Sequence, residues 1–491
     1  MAQVAEIYER VVYQQQSRQE RERAGEGFQL RRCEAGSAGQ TNQQILERLA
    51  YDAPALYAIA SRDDLSPQAR RGLFRFLGSA FTSSERYAQV LREAPAVSHA
   101  VKIFAASDYL TEILVRHPEE IASLARLESR GELPQTNSLF DRSSHREIQS
   151  SDPILEYLAA SSASYGDQLA SLRQHYRHRV FCSGARDLTG VSDIYESLAV
   201  TTAAAEDAIA AAVRIAGQPP ALAVMGLGRL GSGEFDLLSD ADLLFVCQEN
   251  SDRWTLSKSA ELIIQTLSAY TRHGMVFPVD TRLRPRGGEG ELLVTPSQLE
   301  AYFLQEAQPW EALSYSKLRW IAGSQPVAGQ ALSVTQTLFR RFASDAGFAR
   351  AVRGMRARLE EAERGDPSFK GSPGGVYDID FVVSYLLVKH TIEITNGSLR
   401  ERIWRCVEKG ILKREDAVVL DRGAALFRSV EHYVRLVTGR RRKWLPGSGV
   451  GRSTIEEFLA RVLGETFSGR LESHLQDTLQ QVRQVYDRVL T

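Results

Sequence analysis

Apolar residues recur at helical spacing over most of the chain. Between residues 46 and 217 they follow an i, i+3, i+4 pattern, as around Leu46 and Leu49, and Pro or Gly stands where helices would end. After about Gly329 the same spacing returns and continues to the C-terminus. The pattern predicts two long helical regions that flank a middle segment.

The middle segment, residues 218–328, has a different pattern. Two short apolar runs, 221–228 and 240–246, are separated by a glycine-rich loop and read as strands. A segment with helical spacing follows, and the run MVFPVDTRLR at 275–284 has the composition of a third strand. The order strand, loop, strand, helix, strand predicts a small mixed sheet. The expected fold class is therefore α+β and predominantly helical.

These changes of pattern divide the chain into four parts. Residues 1–45 are rich in Gln, Arg, Glu and Gly and are expected to be either a solvated helix end or a mobile segment. A helical region at 46–217, a core at 218–328 and a C-terminal helical domain at 329–491 follow. A chain of 491 residues exceeds the usual size of one compact domain, which fits this division.

Charge and cysteine content narrow the class of protein. Lysines and arginines number 60 against 61 acidic residues, so no overall positive field would hold a nucleic acid, and the basic run at 440–444 is interpreted as a solvated loop. The four cysteines lie far apart, and no apolar stretch approaches the roughly 20 residues that span a bilayer. We expect a cytoplasmic protein that binds neither nucleic acid nor membrane.

Two carboxylates in the second predicted strand indicate a cation site. Side chains alternate along a strand, so Asp240 and Asp242 project to the same face. Their mutual repulsion would raise the pKa of at least one, whereas divalent cations would keep both ionised and bridge them to phosphate oxygens. The spacing predicts a magnesium site, with two ions as the expected number.

The third predicted strand carries another acid and two arginines. Asp280, Arg282 and Arg284 share one face by the period of two. Asp280 is expected to complete the metal coordination or to accept the proton of an attacking hydroxyl, and the arginines are expected to neutralise phosphate charge.

The glycine-rich loop precedes the acid pair. Gly228, Gly231 and Gly233, with Ser232 among them, are positions where backbone amides would cradle a triphosphate. Taken alone, each motif has a structural interpretation: the glycines as a tight turn, the acid pair as a turn device, the arginines as surface ion pairs. Their order within sixty residues favours a functional site.

The sequence resembles the glutamine synthetase adenylyltransferase family of the DNA polymerase β nucleotidyltransferase superfamily, and it carries one of that family's two homologous halves. The resemblance rests on five motifs in the family's order: GLGRLGSGE at 226–234, SDADL at 239–243, LRPRGGEG at 283–290, PWEALSYSKLRWIAG at 309–323 and KGSPGGVYDIDF at 370–381. It departs from the family pattern at three positions, where Arg229 replaces a lysine, Ser232 a glycine and Asp380 a glutamate.

The resemblance implies transfer of AMP from ATP to a tyrosine hydroxyl of glutamine synthetase, or the reverse phosphorolysis. It assigns metal binding to the three aspartates and nucleotide binding to a wider set: Gly228, Arg229, Gly231, Ser232, Gly233, Ser239, Arg282, Arg284 and Lys370. It also implies control by a PII-type regulator. Asp378 slightly favours the adenylylating direction.

Two alternatives remain open at the level of the sequence. The core motifs fix the phosphorus chemistry but not the acceptor, so another protein or a small-molecule hydroxyl is a second candidate substrate. A catalytically silent, nucleotide-binding regulatory subunit is a candidate of another class. Since one catalytic unit is visible, we expect a chain that is specialised for one direction, paired with a second polypeptide or repurposed.

Overall fold

The computed structural model describes residues 41–124, 153–160, 162–190, 192–365, 368–393, 397–447, 449–464, 467 and 470–490. It confirms a predominantly helical α+β fold with one small mixed sheet. The expectation for residues 1–45 falls mostly outside the described residues. The last residues of this segment, 41–45, lie at the start of a helix: Thr41 forms a capping box with Gln44, and Ile45 is buried.

The N-terminal helical region consists of nine helices within the described ranges. They are α1 (Asn42–Asp52), α2 (Pro54–Ala60), α3 (Pro67–Ala80), α4 (Ser84–Arg92), α5 (Ala94–Ala106), α6 (Asp108–Arg116), α7 (Pro153–Ala160), α8 (Tyr165–Thr189) and α9 (Ile194–Ile215). Serine side chains cap several of them; the Ser107 hydroxyl caps α6 and also donates to the carbonyl of Leu436 in the C-terminal domain, at 2.6 Å.

The sheet lies entirely between residues 222 and 323. Its strands are β1 (Leu222–Gly226), β2 (Ala241–Cys247), β3 (Val279–Asp280), β4 (Leu293–Val294) and β5 (Arg319–Gly323). β1 runs antiparallel to both β2 and β5. The other edge of β2 receives β3 at its beginning and β4 at its end, both parallel.

Helices pack around the sheet and form the C-terminal domain. Between the strands lie α10 (Gly228–Gly231), α11 (Arg253–Ser268), α12 (Pro296–Gln305) and α13 (Pro309–Tyr315). After the sheet come α14 (Gln325–Ala343), α15 (Phe348–Ala362), α16 (Val376–Lys389), α17 (Leu399–Glu408), α18 (Arg414–Thr438), α19 (Val450–Leu463) and α20 (Leu471–Leu490). No helix in these described parts is long and apolar enough to cross a bilayer.

Two local predictions were wrong. The third strand is not ten residues long; only Val279 and Asp280 pair with β2, because Pro278 precedes them and a turn begins at Arg282. The amphipathic spacing from Trp310 through Arg319 predicts one helix, but the helix ends at Tyr315, and Arg319 begins β5. Pairing with β1, which is distant in sequence, overrides the local helical spacing there.

The sheet is joined to the C-terminal domain by buried ion pairs. Glu234, which follows the glycine loop, is fully buried and accepts from Arg428 of α18 at 2.9 Å and from the Leu399 amide at 2.5 Å. Both partners come from the C-terminal domain, more than 160 residues further along the chain. The orientation of the C-terminal domain on the sheet therefore depends on buried charged groups. These groups would become exposed to water only if the domain separated from the sheet.

Removal of the Glu234 carboxylate should destabilise the whole chain. Glu234→Ala removes the closest counter-charge of the buried Arg428, whose other carboxylate partner, Glu431, lies 3.6 Å away, and we expect a loss of about 3–5 kcal/mol in the free energy of unfolding. Denaturant unfolding checks this. The matched control is Glu261→Ala, which removes an exposed carboxylate that pairs with Lys258 on α11 and should change the midpoint little. Equal midpoints for the two variants would contradict the role of the buried pair.

Candidate active site

Three aspartates lie at one edge of the sheet, where β2 begins. Asp242 is the second residue of β2, and its register partner on the parallel strand β3 is Asp280. Asp240 immediately precedes β2, and Ala241 and Leu243 between and after the acids are fully buried. This alternation confirms that Asp240 and Asp242 share the less buried face of the strand.

The charges of all three aspartates act on one guanidinium. The hydrogen bond that Arg282 donates to the Asp280 carboxylate is the largest cause that raises the pKa of Arg282, and the charges of Asp242 and Asp240 raise this pKa further. Arg282 donates its backbone amide to Asp280 Oδ1 at 2.9 Å, and its side chain forms an ion pair with the same carboxylate. The sheet edge is therefore a concentrated negative site that attracts cations.

Arg284 has a different position from the one predicted. The chain turns after Asp280, so Arg284 does not continue a strand face. Its guanidinium donates to the carbonyls of Gly290 at 3.0 Å and Thr281 at 2.9 Å. Arg284 thus closes the turn that carries Arg282, and burial lowers its pKa.

Asp240 is held by a residue from the C-terminal domain. Arg441, in the segment after α18, donates Nη1 to Asp240 Oδ2 at 2.9 Å and Nη2 to Oδ1 at 2.7 Å. This is the two-pronged geometry that makes arginine–carboxylate pairs strong. The basic run at 440–444 was interpreted as a solvated loop; that is right for exposed Arg442 and wrong for Arg441.

The glycine loop forms one helical turn, α10, beside Asp242. The Leu227 amide donates to the Asp242 carbonyl at 2.9 Å, and a Cβ added at Gly228 would overlap Asp242 Oδ2. Gly228 has φ +54°, a conformation that favours glycine. Close approach of the loop to the carboxylate therefore requires glycine here.

The rest of the loop is engaged inside the protein. The amides of Gly231, Ser232 and Gly233 donate to carbonyls of the same turn, at 2.8, 3.1 and 3.1 Å, so they do not form the phosphate cradle that we expected. A Cβ at Gly231 would overlap the carbonyl of Lys317, which shows that this glycine serves packing. The Ser232 hydroxyl donates to the Gly228 carbonyl at 2.8 Å.

Two more residues of the predicted nucleotide set face inward. Arg229 pairs with Glu431 at 2.8 Å and donates Nε to the Glu234 carbonyl at 2.9 Å. Ser239 is buried, and its hydroxyl accepts from Arg435 at 3.0 Å and from the Asp236 amide at 3.3 Å. Both residues support the glycine loop from the interior of the protein.

Asp236 and His432 form the centre of a buried charged cluster beneath the loop. His432 Nδ1 lies 2.7 Å from Asp236 Oδ1, and Nε2 lies 3.3 Å from Asp187 Oδ2. Burial alone would lower the pKa of His432, but the two aspartates outweigh it and raise the pKa to about 10. Burial alone would raise the pKa of Asp236, but His432 and Arg435 lower it to about 2. The cluster is ionic at neutral pH.

The acids of the KGSPGGVYDIDF motif diverge, as their spacing on a helix predicts. Asp378 is fully buried and bonds Arg356 at 2.5 Å and the Gly374 amide at 2.7 Å, which is a structural role. Asp380 lies 3.0 Å from Lys317. Burial alone would raise the pKa values of Asp380 and Glu431, but Lys317 lowers the first and Arg229 the second. Lys370 is exposed, lies 5.1 Å from the Tyr377 ring and adds a smaller lowering to both pKa values.

Sequence reasoning missed Arg441, His432 and Arg435. Each contacts the core from about 200 residues away in sequence, and no local spacing reveals such a contact. The available signal was weak: charged residues at 428, 431, 432 and 435 repeat among the apolar residues of the C-terminal half of α18. A helix face that carries both signs among buried positions indicates an ionic interface.

The three carboxylates suit a hard divalent cation such as Mg²⁺, which prefers oxygen ligands. Among the residues that the structure describes, no three His, Cys, Asp or Glu side chains already converge on one metal position. In the structure Arg441 forms an ion pair with Asp240, and Arg282 forms one with Asp280. The donor set therefore fits magnesium, provided that these guanidiniums yield their carboxylate oxygens.

A small mixed sheet with an Asp-x-Asp pair, a third aspartate in register and an adjoining glycine turn is the arrangement expected of a nucleotidyltransferase core. Two family models match the chain on either side of residue 340: glutamate-ammonia ligase adenylyltransferase over residues 97–334, and GlnD PII-uridylyltransferase over residues 347–490. Just under half of the chain is thus similar to the glutamate-ammonia ligase adenylyltransferase family.

Individual relatives agree with this assignment. The chain is similar to the bifunctional glutamine synthetase adenylyltransferase/adenylyl-removing enzyme of Streptomyces coelicolor, with 27% identity over 82% of this chain and 40% of the relative. The enzymes of the same name from Streptomyces avermitilis and Mycobacterium bovis are 28% and 29% identical over 70% and 79% of this chain. The chain spans about two fifths or less of the length of these relatives.

A methyl group at position 228 should disrupt the site locally. In Gly228→Ala, the new Cβ meets the Asp242 carboxylate and the backbone keeps a positive φ, so we expect a lower midpoint of thermal unfolding. Gly410→Ala is the matched control, since Gly410 has φ +70° and open space around the added Cβ. The control should lose only the roughly 1–2 kcal/mol of backbone strain. A Gly228 variant as stable as the control would rule out the close contact.

The His432 pair should make stability depend on pH in the alkaline range. Because the folded-state pKa of about 10 lies above the ordinary 6.5, the stabilisation is complete below pH 6.5 and declines as the pH rises towards 10. His432→Gln should therefore be much less stable than wild type at pH 6, and the difference should shrink towards pH 10. Urea unfolding at several pH values measures this. The exposed His390→Gln serves as the control; a His432 difference that does not vary with pH would contradict the ionic pair.

Proposed function

We propose that the chain is a magnesium-dependent nucleotidyltransferase that moves AMP between ATP and a tyrosine hydroxyl of glutamine synthetase. The observation that carries the proposal is the register of β2 with β3, which sets Asp242 beside Asp280 with Asp240 at the same edge. Similarity to the glutamine synthetase adenylyltransferases supplies the class of substrate. Adenylylation and its phosphorolytic reversal both fit, since they differ only in the nucleophile and the leaving group at one phosphorus.

Each residue of the edge has a role in this scheme. Asp240 and Asp242 would hold the magnesium ions, and Asp280 would either complete the coordination or accept the proton of the attacking hydroxyl. When bound, magnesium neutralises the phosphate charge and supports attack at the α-phosphorus. Arg282 lies beside the same acids and binds phosphate oxygens once its carboxylate partner takes a cation. Arg284, Arg229, Ser232 and Ser239 act indirectly, by fixing the turns on which these groups stand.

The C-terminal domain adds Lys370 to the nucleotide side. Lys370 is exposed, and its charge reaches Asp380 and Glu431, the acids nearest to Lys317 and Arg229. Its side chain is therefore available to a nucleotide at the protein surface. The match of residues 347–490 to a PII-uridylyltransferase model also supports a PII-type regulator as a partner of this domain.

The alternative functions differ in the molecule that accepts the nucleotide. A different protein or small-molecule hydroxyl would use the same acids, whereas a silent regulatory subunit would bind nucleotide without transfer. The three aspartates at one edge count against silence, because adjacent carboxylates repel and two of them need Arg441 and Arg282 as partners, an arrangement that a non-catalytic subunit has no physical reason to keep. A test must therefore measure transfer and not only binding.

Label transfer from α-labelled ATP to glutamine synthetase is the decisive measurement. With Mg²⁺ present, wild type should label the synthetase, and Asp242→Asn should lower the rate by about 100-fold or more, because charge stabilisation at the reacting phosphate is lost. Glu261→Gln, an exposed acid on α11, should retain the wild-type rate. Release of ADP from adenylylated synthetase and inorganic phosphate tests the reverse direction with the same variants.

The outcomes separate the candidates. Transfer in either direction that depends on Asp242 supports the proposal. Nucleotide binding without transfer in both directions would favour another acceptor or the regulatory subunit, and transfer that survives Asp242→Asn would rule out the aspartate site.

A further inference from the structure

Arg441 reaches the catalytic edge from a separate part of the fold. The segment 439–447 follows α18 and belongs to the C-terminal domain, whereas Asp240 belongs to the sheet, 201 residues earlier. Both guanidinium nitrogens of Arg441 engage both oxygens of Asp240. The contact joins two units of the protein through a carboxylate that we place among the metal ligands.

The backbone around Arg441 is anchored, while its side chain is not enclosed. Trp444 stacks on Phe369, with ring centroids 4.2 Å apart and an angle of 13°, and the Phe369 amide donates to the Lys443 carbonyl at 3.1 Å. The Arg441 side chain is 30% exposed and that of Asp240 is 21% exposed. The Arg441 side chain is therefore open enough to solvent to change partners while its backbone segment stays in place.

Arg441 and Arg282 take the positions that cations would otherwise fill. Arg282 is bonded to Asp280 within the same turn, so it stays with the sheet. Arg441 comes from outside the sheet and competes directly for both Asp240 oxygens. A divalent cation that binds Asp240 must displace this pair and leave a guanidinium without a counter-charge.

An incoming triphosphate would supply that counter-charge. Guanidinium binds carboxylate and phosphate with the same two-pronged geometry. The Arg441 segment also carries Arg440 and Lys443, which add positive charge on this side of the site. Exchange of Asp240 for phosphate keeps Arg441 paired throughout.

We propose that Arg441 holds Asp240 in place of a divalent cation and passes to a phosphate of the nucleotide when cation and nucleotide enter together. The inference rests on the proposed function and adds to it that the C-terminal domain couples the two ligands. Cation alone binds weakly because it must break the Arg441 pair. Cation with nucleotide binds well because the pair is exchanged rather than lost.

Direct binding of Mn²⁺ to the full chain tests the coupling without any turnover. Free Mn²⁺ is measured by electron paramagnetic resonance, with and without α,β-methylene-ATP, for wild type, Arg441→Gln and the control Arg442→Gln. For cation alone, Arg441→Gln should bind on the order of 10- to 100-fold tighter than wild type, since a charge-assisted two-pronged pair no longer competes. Arg442→Gln should match wild type, because Arg442 is exposed beside the same contact.

The nucleotide arm gives the second half of the test. The analogue should strengthen Mn²⁺ binding to wild type markedly and to Arg441→Gln about tenfold less. Arg441→Lys, which keeps the charge but not the fork, should fall between the two and serves if the glutamine variant is poorly folded by circular dichroism. Cation binding to Arg441→Gln that is no tighter than wild type, or nucleotide enhancement that is unchanged, would overturn the proposal.

Asp242→Asn separates this inference from the proposed function. If that variant binds Mn²⁺ with analogue as well as wild type does, the aspartate edge is not the metal site and both proposals fail. If Asp242→Asn loses binding while Arg441→Gln behaves as wild type, the site stands and only the exchange by Arg441 is wrong.

Discussion

Glu234 and Asp236 lie directly beneath the glycine turn, and both are buried against cations from α18. Four acids, Glu234, Asp236, Glu431 and Asp187, meet four cations, Arg229, Arg428, His432 and Arg435, in one cluster. Charges removed from water in this way stabilise a fold only when every one has a partner. The orientation of the C-terminal domain on the sheet is consequently specified by matching of opposite charges as well as by apolar packing.

This cluster explains why residues of the glycine loop face inward. Arg229 and Ser239 are assigned to nucleotide binding by the family resemblance. In the structure Arg229 pairs with Glu431 below the turn, and the Ser239 hydroxyl accepts from Arg435 there. The turn is then rigid where it meets Asp242, and Gly228 lets the backbone approach the carboxylate. The two faces of this short segment thus have different surroundings. The buried face is held by ion pairs, and the open face lies beside the aspartates.

The sequence predicted the features that depend on neighbours along the chain. The predominantly helical α+β class, the first two strands and the shared face of Asp240 and Asp242 all follow from local periodicity, and the structure confirms them. The short strand β4 and the strand β5 were missed, because two residues carry no period and Arg319–Gly323 reads as the continuation of a helix. Arg441 on Asp240 was missed for the same reason: a pair 201 residues apart leaves no local pattern. The metal and nucleotide roles of the site residues stay predictions.

The pairing of Asp242 with Asp280 has a consequence for how this core tolerates change. β3 contributes only two residues to the sheet, and the connection from β2, through α11, is about thirty residues long. Insertions within that connection leave the pairing intact, since closing a longer loop costs little. A shift of one residue at Val279–Asp280 would instead turn the third carboxylate to the opposite face of the sheet. The number of residues that connect β2 to β3 can therefore vary. The position of the single peptide unit at the end of β3 cannot change without moving Asp280 away from Asp242.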